Sequence, residues 1–420
     1  MNPELLVAGL DLGSSRTTAL IAEVVGDIPR HPSIKILGVG QARTAGMRRG
    51  VVADIEETTR SIRGAMEDAE RMAGVEVEAV YAGIAGEHVQ AMTSSGIVAV
   101  NGDEVTRADV ERANEVARTQ AIPADRELLH AIPQEYRVDK NDGIRDPIGM
   151  IGMRLETEMY LVTIGASPAM NLRKSVERAG YKVRDLVLEP LASALAVLTE
   201  DEKELGVALV EMGAGATDLA VFHEGKIRFM GTVNFGGNNV TSDIVHGLGV
   251  TQADAERLKE RYGCAYEPLV AHSHDVIKLP STVAQGDREI PRELLAHIIH
   301  QRMDEIFGLA NARISDAGFA GRLSAGIVLT GGASAIEGAT ELATEVFGTG
   351  VRVGSPAEAV GGLSDSVDSP RFATVVGLAL YGAIQIAQGA AVSAGGRKRM
   401  SSPGVDRITQ RVKTWLQDFF

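Results

Sequence analysis

Residues 10–21 read LDLGSSRTTALI, and residues 211–222 read EMGAGATDLAVF. In the first stretch an apolar run from Leu5 to Leu10 ends at Asp11, turns through Gly13, Ser14, Ser15 and Arg16, and resumes as an apolar run from Thr18 to Val25. In the second, Val207–Val210 leads into Glu211, turns through Gly213 to Asp218, and resumes from Leu219 to Phe222. Strand-like runs joined by small residues predict β-hairpins. A third run, Ile327–Leu329, ends in Thr330, Gly331, Gly332 and Ala333. Strand, acid, Gly-rich turn and strand, repeated at long period, predict two related halves facing one ligand.

Such turns suit an anion. With no large side chain in the way, backbone N–H groups approach a phosphate closely, and the Ser14 and Ser15 hydroxyls add donors. Asp11, at a strand end, can hold Mg²⁺ through water, because hard cations prefer oxygen ligands. Neither a G-x-x-x-x-G-K-[ST] loop nor a G-x-G-x-x-G run opening a helix occurs.

Outward from the turns, helices are legible. Thr106 with Asp109 forms a capping box ahead of Val110, Ala113 and Ala117. Ser167 and Pro168 suit a helix start and Gly180 its end. Leu294, Leu295, Ile298, Ile299 and Ile306 recur at helical spacing. The chain has 420 residues, enough for several domains, and 45% hydrophobic residues, enough for ordinary cores. A net charge of −14 argues against a nucleic-acid binder, since most of the surface would repel a phosphate polymer. The single cysteine, Cys264, permits no internal disulfide and fits a reducing cytoplasm. The start, MNPELLVAGLDLG, lacks signal-peptide layout, and no run of about eighteen apolar residues is evident, so membrane contact is expected to be peripheral. His272 with His274, and His297 with His300, stand at metal-compatible spacing, but no full set of metal ligands is evident around them.

The C-terminus supplies that peripheral contact. Residues 386–404 read as a flexible linker. In 405–420, VDRITQRVKTWLQDFF, Ile408, Val412, Trp415, Leu416 and Phe419 fall on one helical face, with Phe420 beyond them. Arg411 and Lys413 flank that face, placed to snorkel toward lipid phosphates. From Arg397 onward six basic side chains stand against two acidic ones, on an acidic protein. Burying a large apolar side chain contributes about 1.5–3 kcal/mol, while ordering the helix costs about 1–2 kcal/mol per residue. One tail is a marginal anchor, and several tails held together would act jointly.

The two hairpin stretches resemble the first and second phosphate hairpins of the actin, sugar-kinase and heat-shock-chaperone ATPase superfamily. IVLTGGASAIEG (327–338) resembles its adenosine turn, LEPLASALAVL (188–198) and TVVGLALYGA (374–383) its two connecting helices, and AERLK (255–259) the helix gripping adenine and ribose. Within it, LLHAIPQEYRVD (128–139), GMIGMRLE (149–156), VTSDIVHGLG (240–249) and the terminal helix are similar to the FtsA family of bacterial cell-division proteins, over nearly the whole chain.

The resemblance implies an α/β, actin-like (ribonuclease H-like) two-lobed ATPase fold with an inserted α+β subdomain in the first lobe. The implied subdomains are 1A (1–83 and 166–204), 1C (84–165), 2A (205–230 and 320–385) and 2B (231–319), followed by the linker and the membrane helix. It implies ATP and Mg²⁺ as cofactors. Asp11 takes the Mg²⁺-linked role. Gly13, Ser14, Ser15 and Arg16 form the first phosphate loop, and Gly213, Ala214, Gly215 and Thr217 the second. Gly331, Gly332 and Ala333 lie against adenosine, and Glu256 and Lys259 contact ribose and adenine. Glu189 stands where chaperone relatives position the attacking water. The implied partners are the C-terminal peptide of FtsZ, further copies of this chain in filaments, the cytoplasmic face of the inner membrane at the division site, and later division proteins through the insert. Arg288, Arg292 and Arg302 resemble the peptide site, cations suited to an acidic peptide.

Two departures bear on catalysis. The usual Asp at the second hairpin is Glu211, whose added methylene shifts the carboxylate by about 1.5 Å, enough to cost about a hundredfold in a positioned reaction. Ala214 replaces the middle glycine and is strained if that position needs φ > 0. ATP binding with weak or absent hydrolysis is the expectation, Asp11, Glu189 and Glu211 being the catalytic candidates. The alternatives are a pilus-assembly platform of the same fold and a small-molecule kinase, for which no substrate-cleft base is evident.

Overall fold

The structure is a computed structural model describing residues 3–27, 31–48, 50–119, 122–270, 275–279, 288–356 and 360–395. The tail residues Ile408, Arg411, Val412, Lys413, Trp415, Leu416, Phe419 and Phe420 lie outside the described residues, as do His272 and His274. The described residues divide into two compact units, those of 3–27, 31–86 and 175–383 in one, and those of 87–174 and 384–395 in the other.

The larger unit contains the expected repeat. Its first sheet runs, strand by neighbouring strand, His31–Arg43, Arg16–Asp27, Leu6–Leu12, Ala79–Ile84 and Lys182–Leu188, with the two-residue Gly361–Gly362 at one edge. Its second runs Lys226–Val233, Thr217–His223, Val207–Met212, Gly326–Thr330 and Val351–Val353. In both, three antiparallel strands are followed by two parallel ones. The strand pattern explains the layering. Leu6–Leu12 and Val207–Met212 are buried along nearly their whole length, as central strands covered on both faces must be.

After the last strand of each five-strand series comes a helix, Glu189–Val197 after the first and Ala373–Gly395 after the second. These helices cross with almost no space between them. A Cβ added at Gly377 would lie 1.8 Å from the carbonyl oxygen of Ala192, and one added at Gly9 would lie 2.6 Å from that of Val375. Glycine is needed at both places because backbone meets backbone. Around the second sheet, helices Gly237–Leu248, Gln252–Tyr262, Arg292–Asp316 and Ala339–Phe347 close a core containing Val210, Leu219, Ile244, Leu258, Ile299 and Phe307. Arg292–Asp316 buries Leu295, Ile299 and Ile306 and leaves Leu294 exposed, an apolar stripe at helical period.

The smaller unit is a four-stranded sheet ordered Val89–Ala99, Arg154–Gly165, Arg126–Val138 and Asn141–Ile144, with helix Arg107–Arg118 packed upon it. Thr106 and Asp109 form the expected capping box at that helix's start. Val105, Val110, Ala113, Tyr136, Val138 and Leu155 make its core.

Three local expectations change. The helix expected from Ser167 begins at Ala166 and ends before Gly180, whose φ is +106°. The Ala373 helix continues to Gly395, so the first part of the expected linker 386–404 is helical. Its alanines, Ala387, Ala390, Ala391 and Ala394, are the strongest helix formers. Contrary to the reading that no long apolar run exists, Pro370–Gly389 is long and apolar enough to cross a membrane. It is mostly buried inside the protein, with Val375, Leu378 and Tyr381 in the core, which is the behaviour of a core helix.

Candidate functional site

The two Gly-rich turns meet. A Cβ added at Gly215 would lie 2.5 Å from Ser14 Oγ, so the second turn rests directly on the first. Each turn closes a full antiparallel hairpin, with Asp11 opposite Thr18 and Glu211 opposite Asp218. The first turn is tied to its own sheet: Thr44 N donates to Ser15 O at 3.0 Å, and the Thr17 and Thr44 hydroxyls pair at 2.9 Å. Arg16 is exposed and its guanidinium donates to Gln41 at 3.4 Å.

The second turn is braced by the helix on its C-terminal side. Gly237 N and Asn238 N, opening helix Gly237–Leu248, donate to the carbonyls of Gly213 and Ala214 at 3.0 and 2.8 Å. The Thr217 hydroxyl donates to Phe235 O at 2.9 Å, so the group this residue offers a ligand is its backbone. Ala214 is unstrained. Among the described residues only Asp139 and Glu224 are non-glycine residues with positive φ. The expected strain is absent because this turn needs space near Ser14 rather than a left-handed backbone.

Four carboxyls converge beneath the turns. Burial pushes Asp11 up to about 7, Glu211 to about 7 and Asp218 to about 6. Glu189 is held well above the usual carboxylate range, first by burial and then by the charges of Asp11, Glu211 and Asp218. Like charges gathered away from water resist joint ionisation. The crowding gives the cluster an affinity for a compensating cation, while among the described residues no three of these groups are set to ligate a metal directly. Carboxyl oxygens are the donor type that a hard cation prefers.

Glu211 is anchored by two hydroxyls through one oxygen. It is 7% exposed, and its Oε1 accepts from the Ser193 hydroxyl at 2.8 Å and from the Thr374 hydroxyl. Glu189, the first residue of its helix, lies against Gly83, where an added Cβ would stand 3.0 Å from Glu189 Oε1.

On the far side of the second turn, Lys259 Nζ donates to Gly237 O at 3.0 Å, Thr241 Oγ1 at 2.7 Å and Glu256 Oε2 at 2.8 Å. All three of its donors are used inside the protein, so Lys259 shapes this wall through its stem. Gly237 is within reach of both Lys259 and Ala333, which brings the AERLK helix and the TGGA turn to one place. Gly331, with φ +83°, packs on the backbone of Met212, and Gly332 begins a short 3-10 turn through Ala335.

The three arginines of the expected peptide site all hold internal partners. Arg302 grips Asp243 with two nitrogens, at 2.5 and 3.1 Å, pairs with Glu305, and lies over Phe235. Arg292 donates to Tyr262 O at 3.0 Å and pairs with Glu337; Arg288 donates to Leu248 O. Arg292 and Arg302 share one helix. His297 pairs with Glu267 and His300 with Ala265 O, and no metal group forms among the described residues.

Asp218, Thr241, Ser193, Thr374 and the Gly236–Gly237 pair escaped the sequence reading. Asp218 stood inside the quoted motif, and its position opposite Glu211 is set by the hairpin register. The others come together only through long-range folding.

Likenesses to known proteins bear on the fold and the family. Residues 208–377 match the family model described as cell division protein FtsA, and residues 86–163 match the SHS2 domain inserted in FtsA. The cell division protein FtsA of Pseudomonas aeruginosa is 42% identical over 415 residues, covering 99% of this chain and 98% of that protein. That of Neisseria meningitidis serogroup B is 40% identical over 99% and 98%. Among solved structures, a PilM–PilN type IV pilus biogenesis complex superposes with a TM-score of 0.62 at 17% identity, covering 90% of this chain and 98% of that one. MreB5 of Spiroplasma citri bound to ADP superposes at 0.57 and 14% identity, covering 93% and 99%. These likenesses show an actin-like fold carrying an inserted SHS2 domain, and the chain belongs to the FtsA family of cell-division proteins.

Proposed function

We propose that the chain binds ATP with Mg²⁺ at its two hairpin turns, hydrolyses it slowly or not at all, and assembles on the cytoplasmic face of the inner membrane. There it tethers FtsZ filaments at the division site and recruits later division proteins through the inserted unit. The observation carrying this reading is the seating of Gly215 on Ser14, which joins two anion-suited turns into one cradle beside four crowded carboxyls. Gly13–Arg16 and Gly213–Thr217 hold the phosphates, with Gly331–Ala333, Glu256 and the Lys259 stem against the nucleoside. Asp11 holds Mg²⁺ through water. The cation supplies positive charge that offsets the phosphates and the surrounding acids. Glu189 is the residue placed to orient water; burial and the neighbouring acids raise its pKa well above the usual carboxylate range, which disfavours the ionised form a base needs.

The tail residues from Ile408 to Phe420 supply membrane contact, with Arg411 and Lys413 at the headgroups. An acidic FtsZ peptide binding at Arg288, Arg292 and Arg302 exchanges with the internal partners Asp243 and Glu337. The pilus-platform alternative has fold likeness alone behind it.

Liposome co-sedimentation tests the reading. The full chain is expected to pellet with anionic vesicles, more strongly with ATP and Mg²⁺, and a chain ending at Gly404 to stay in solution. Equal vesicle binding by both would overturn the tail's role, and indifference to nucleotide would overturn its link to assembly.

A further inference from the structure

The carboxyl of Glu211 joins three separate segments. It belongs to the strand leading into the second turn, Ser193 belongs to helix Glu189–Val197, and Thr374 to helix Ala373–Gly395. A single oxygen, Oε1, accepts from both hydroxyls, and the two hydroxyls stand 3.2 Å from each other. The two helices cross at Ala192 and Gly377, next to Ser193 and one turn from Thr374. The carboxyl is nine-tenths buried, and Oε2 is buried without a hydrogen-bond partner.

We infer that Glu211 is a positioning residue: through Ser193 and Thr374 it fixes the second turn to the crossing of the connecting helices, and it does not ligate the nucleotide's cation. The inference rests on the nucleotide reading of the site. Side-chain length carries it. Glutamate spans the gap from strand to helices; aspartate, shorter by about 1.5 Å, leaves two buried hydroxyls without their acceptor. Both lone pairs of Oε1 are taken by those hydroxyls, so the oxygen that reaches the helices is committed to the brace. The glutamate at a place where the resemblance calls for aspartate is then the length that the brace requires. An amide at 211 preserves the brace, since its oxygen accepts as Oε1 does and its nitrogen replaces the unpartnered Oε2 near Asp11 and Asp218 with a donor.

The two roles order the variants oppositely, which makes a full-chain experiment decisive. Binding of a fluorescent ATP analogue is titrated at saturating Mg²⁺, and Mg²⁺ is then titrated at fixed nucleotide, for Glu211→Gln, Glu211→Asp and the double variant Ser193→Ala/Thr374→Val. A brace predicts that Glu211→Asp and the double variant lose about tenfold in affinity and Glu211→Gln less than about threefold, with the Mg²⁺ midpoint unmoved in all. A cation ligand predicts the reverse, since aspartate keeps the charge and glutamine does not. Glu211→Gln binding more weakly than Glu211→Asp, or shifting the Mg²⁺ midpoint, overturns the inference.

If the wild-type chain takes up no nucleotide, the nucleotide reading itself fails, and thermal unfolding still tests the brace. Combining Glu211→Asp with Ser193→Ala/Thr374→Val then lowers the melting temperature no further than Glu211→Asp alone, because both changes remove one interaction. Additive losses overturn it.

Discussion

In the first hairpin Asp11 stands opposite Thr18; in the second, at the equivalent register, Glu211 stands opposite Asp218. The sheets around them have the same strand order, and the turns differ in what holds them. The first is secured within its own sheet by Thr17, Ser15 and Thr44. The second depends on the start of helix Gly237–Leu248, on Phe235 and, through Glu211, on both crossing helices. A duplicated turn has thus kept its backbone and changed its supports. One turn is a local structure, and the other reports the arrangement of segments far apart in sequence.

The strongest way to break the comparison is at the crossing. Gly377→Val places a side chain where 1.8 Å separates an added Cβ from Ala192 O, and no rotamer relieves a clash with backbone. A loss of about 3 kcal/mol or more is expected, read as a large fall in denaturation midpoint. A folded variant of wild-type stability would mean that the helices do not bear on each other there.

Next in size is the contact between the turns. Gly215→Ala drives a methyl to within 2.5 Å of Ser14 Oγ, whereas at Gly13→Ala the nearest atom is Arg16 O at 3.0 Å. ATP affinity is expected to fall by about tenfold for Gly215→Ala, roughly 1.4 kcal/mol, and by less for Gly13→Ala. Ser14→Gly added to Gly215→Ala removes the obstructing side chain, and part of the loss should return. Equal losses at the two glycines, or no rescue, would show that the turns do not touch in solution.

The parts legible in sequence were those built from neighbours. Each hairpin is a glycine-rich turn between two apolar runs, and the Thr106–Asp109 box closes over four residues. The duplication was visible because acid, glycine and strand recur in one order. Ser193 and Thr374 were illegible because they lie 181 residues apart and meet at one carboxyl oxygen. Thr241 likewise gains its meaning only when Lys259 folds onto it. The supposed linker failed for another reason: polar and glycine residues near Gly395 obscured an alanine-rich stretch able to prolong a helix already nucleated by packing.

The carboxyls give a smaller effect with a definite sign. Asp218 is raised to about 6 in the folded chain, so folding takes up a proton that the unfolded chain has released. Stability therefore falls as pH rises from about 4, the unfolded value, through about 6, and Asp11 and Glu211 extend the fall to about 7. Asp218→Asn removes one such charge while its oxygen still accepts from Thr232, 2.6 Å away. The variant is expected to be more stable than wild type at pH 8 by roughly 1 kcal/mol, Asp218 being only partly buried, with the gap closing near pH 5. Thermal melting across that range checks it. A gap that widens toward acid would mean that Asp218 is stabilised as its anion.

The smallest expected effect concerns the middle of the second turn, where Ala214 occupies the place of Ser14 in the first. Were Ala214 held in a left-handed conformation, Ala214→Gly would relieve strain and raise the melting temperature. Because its φ is not positive, glycine there only adds freedom to the unfolded chain, and the melting temperature should fall, by about 0.4–1 kcal/mol of stability. The sign of that change, more than its size, separates a turn that needs glycine for its backbone from one that needs small residues for room. The structure places that need for room at Gly215, where Ser14 approaches, and leaves position 214 to any residue that the partnership with Asn238 tolerates.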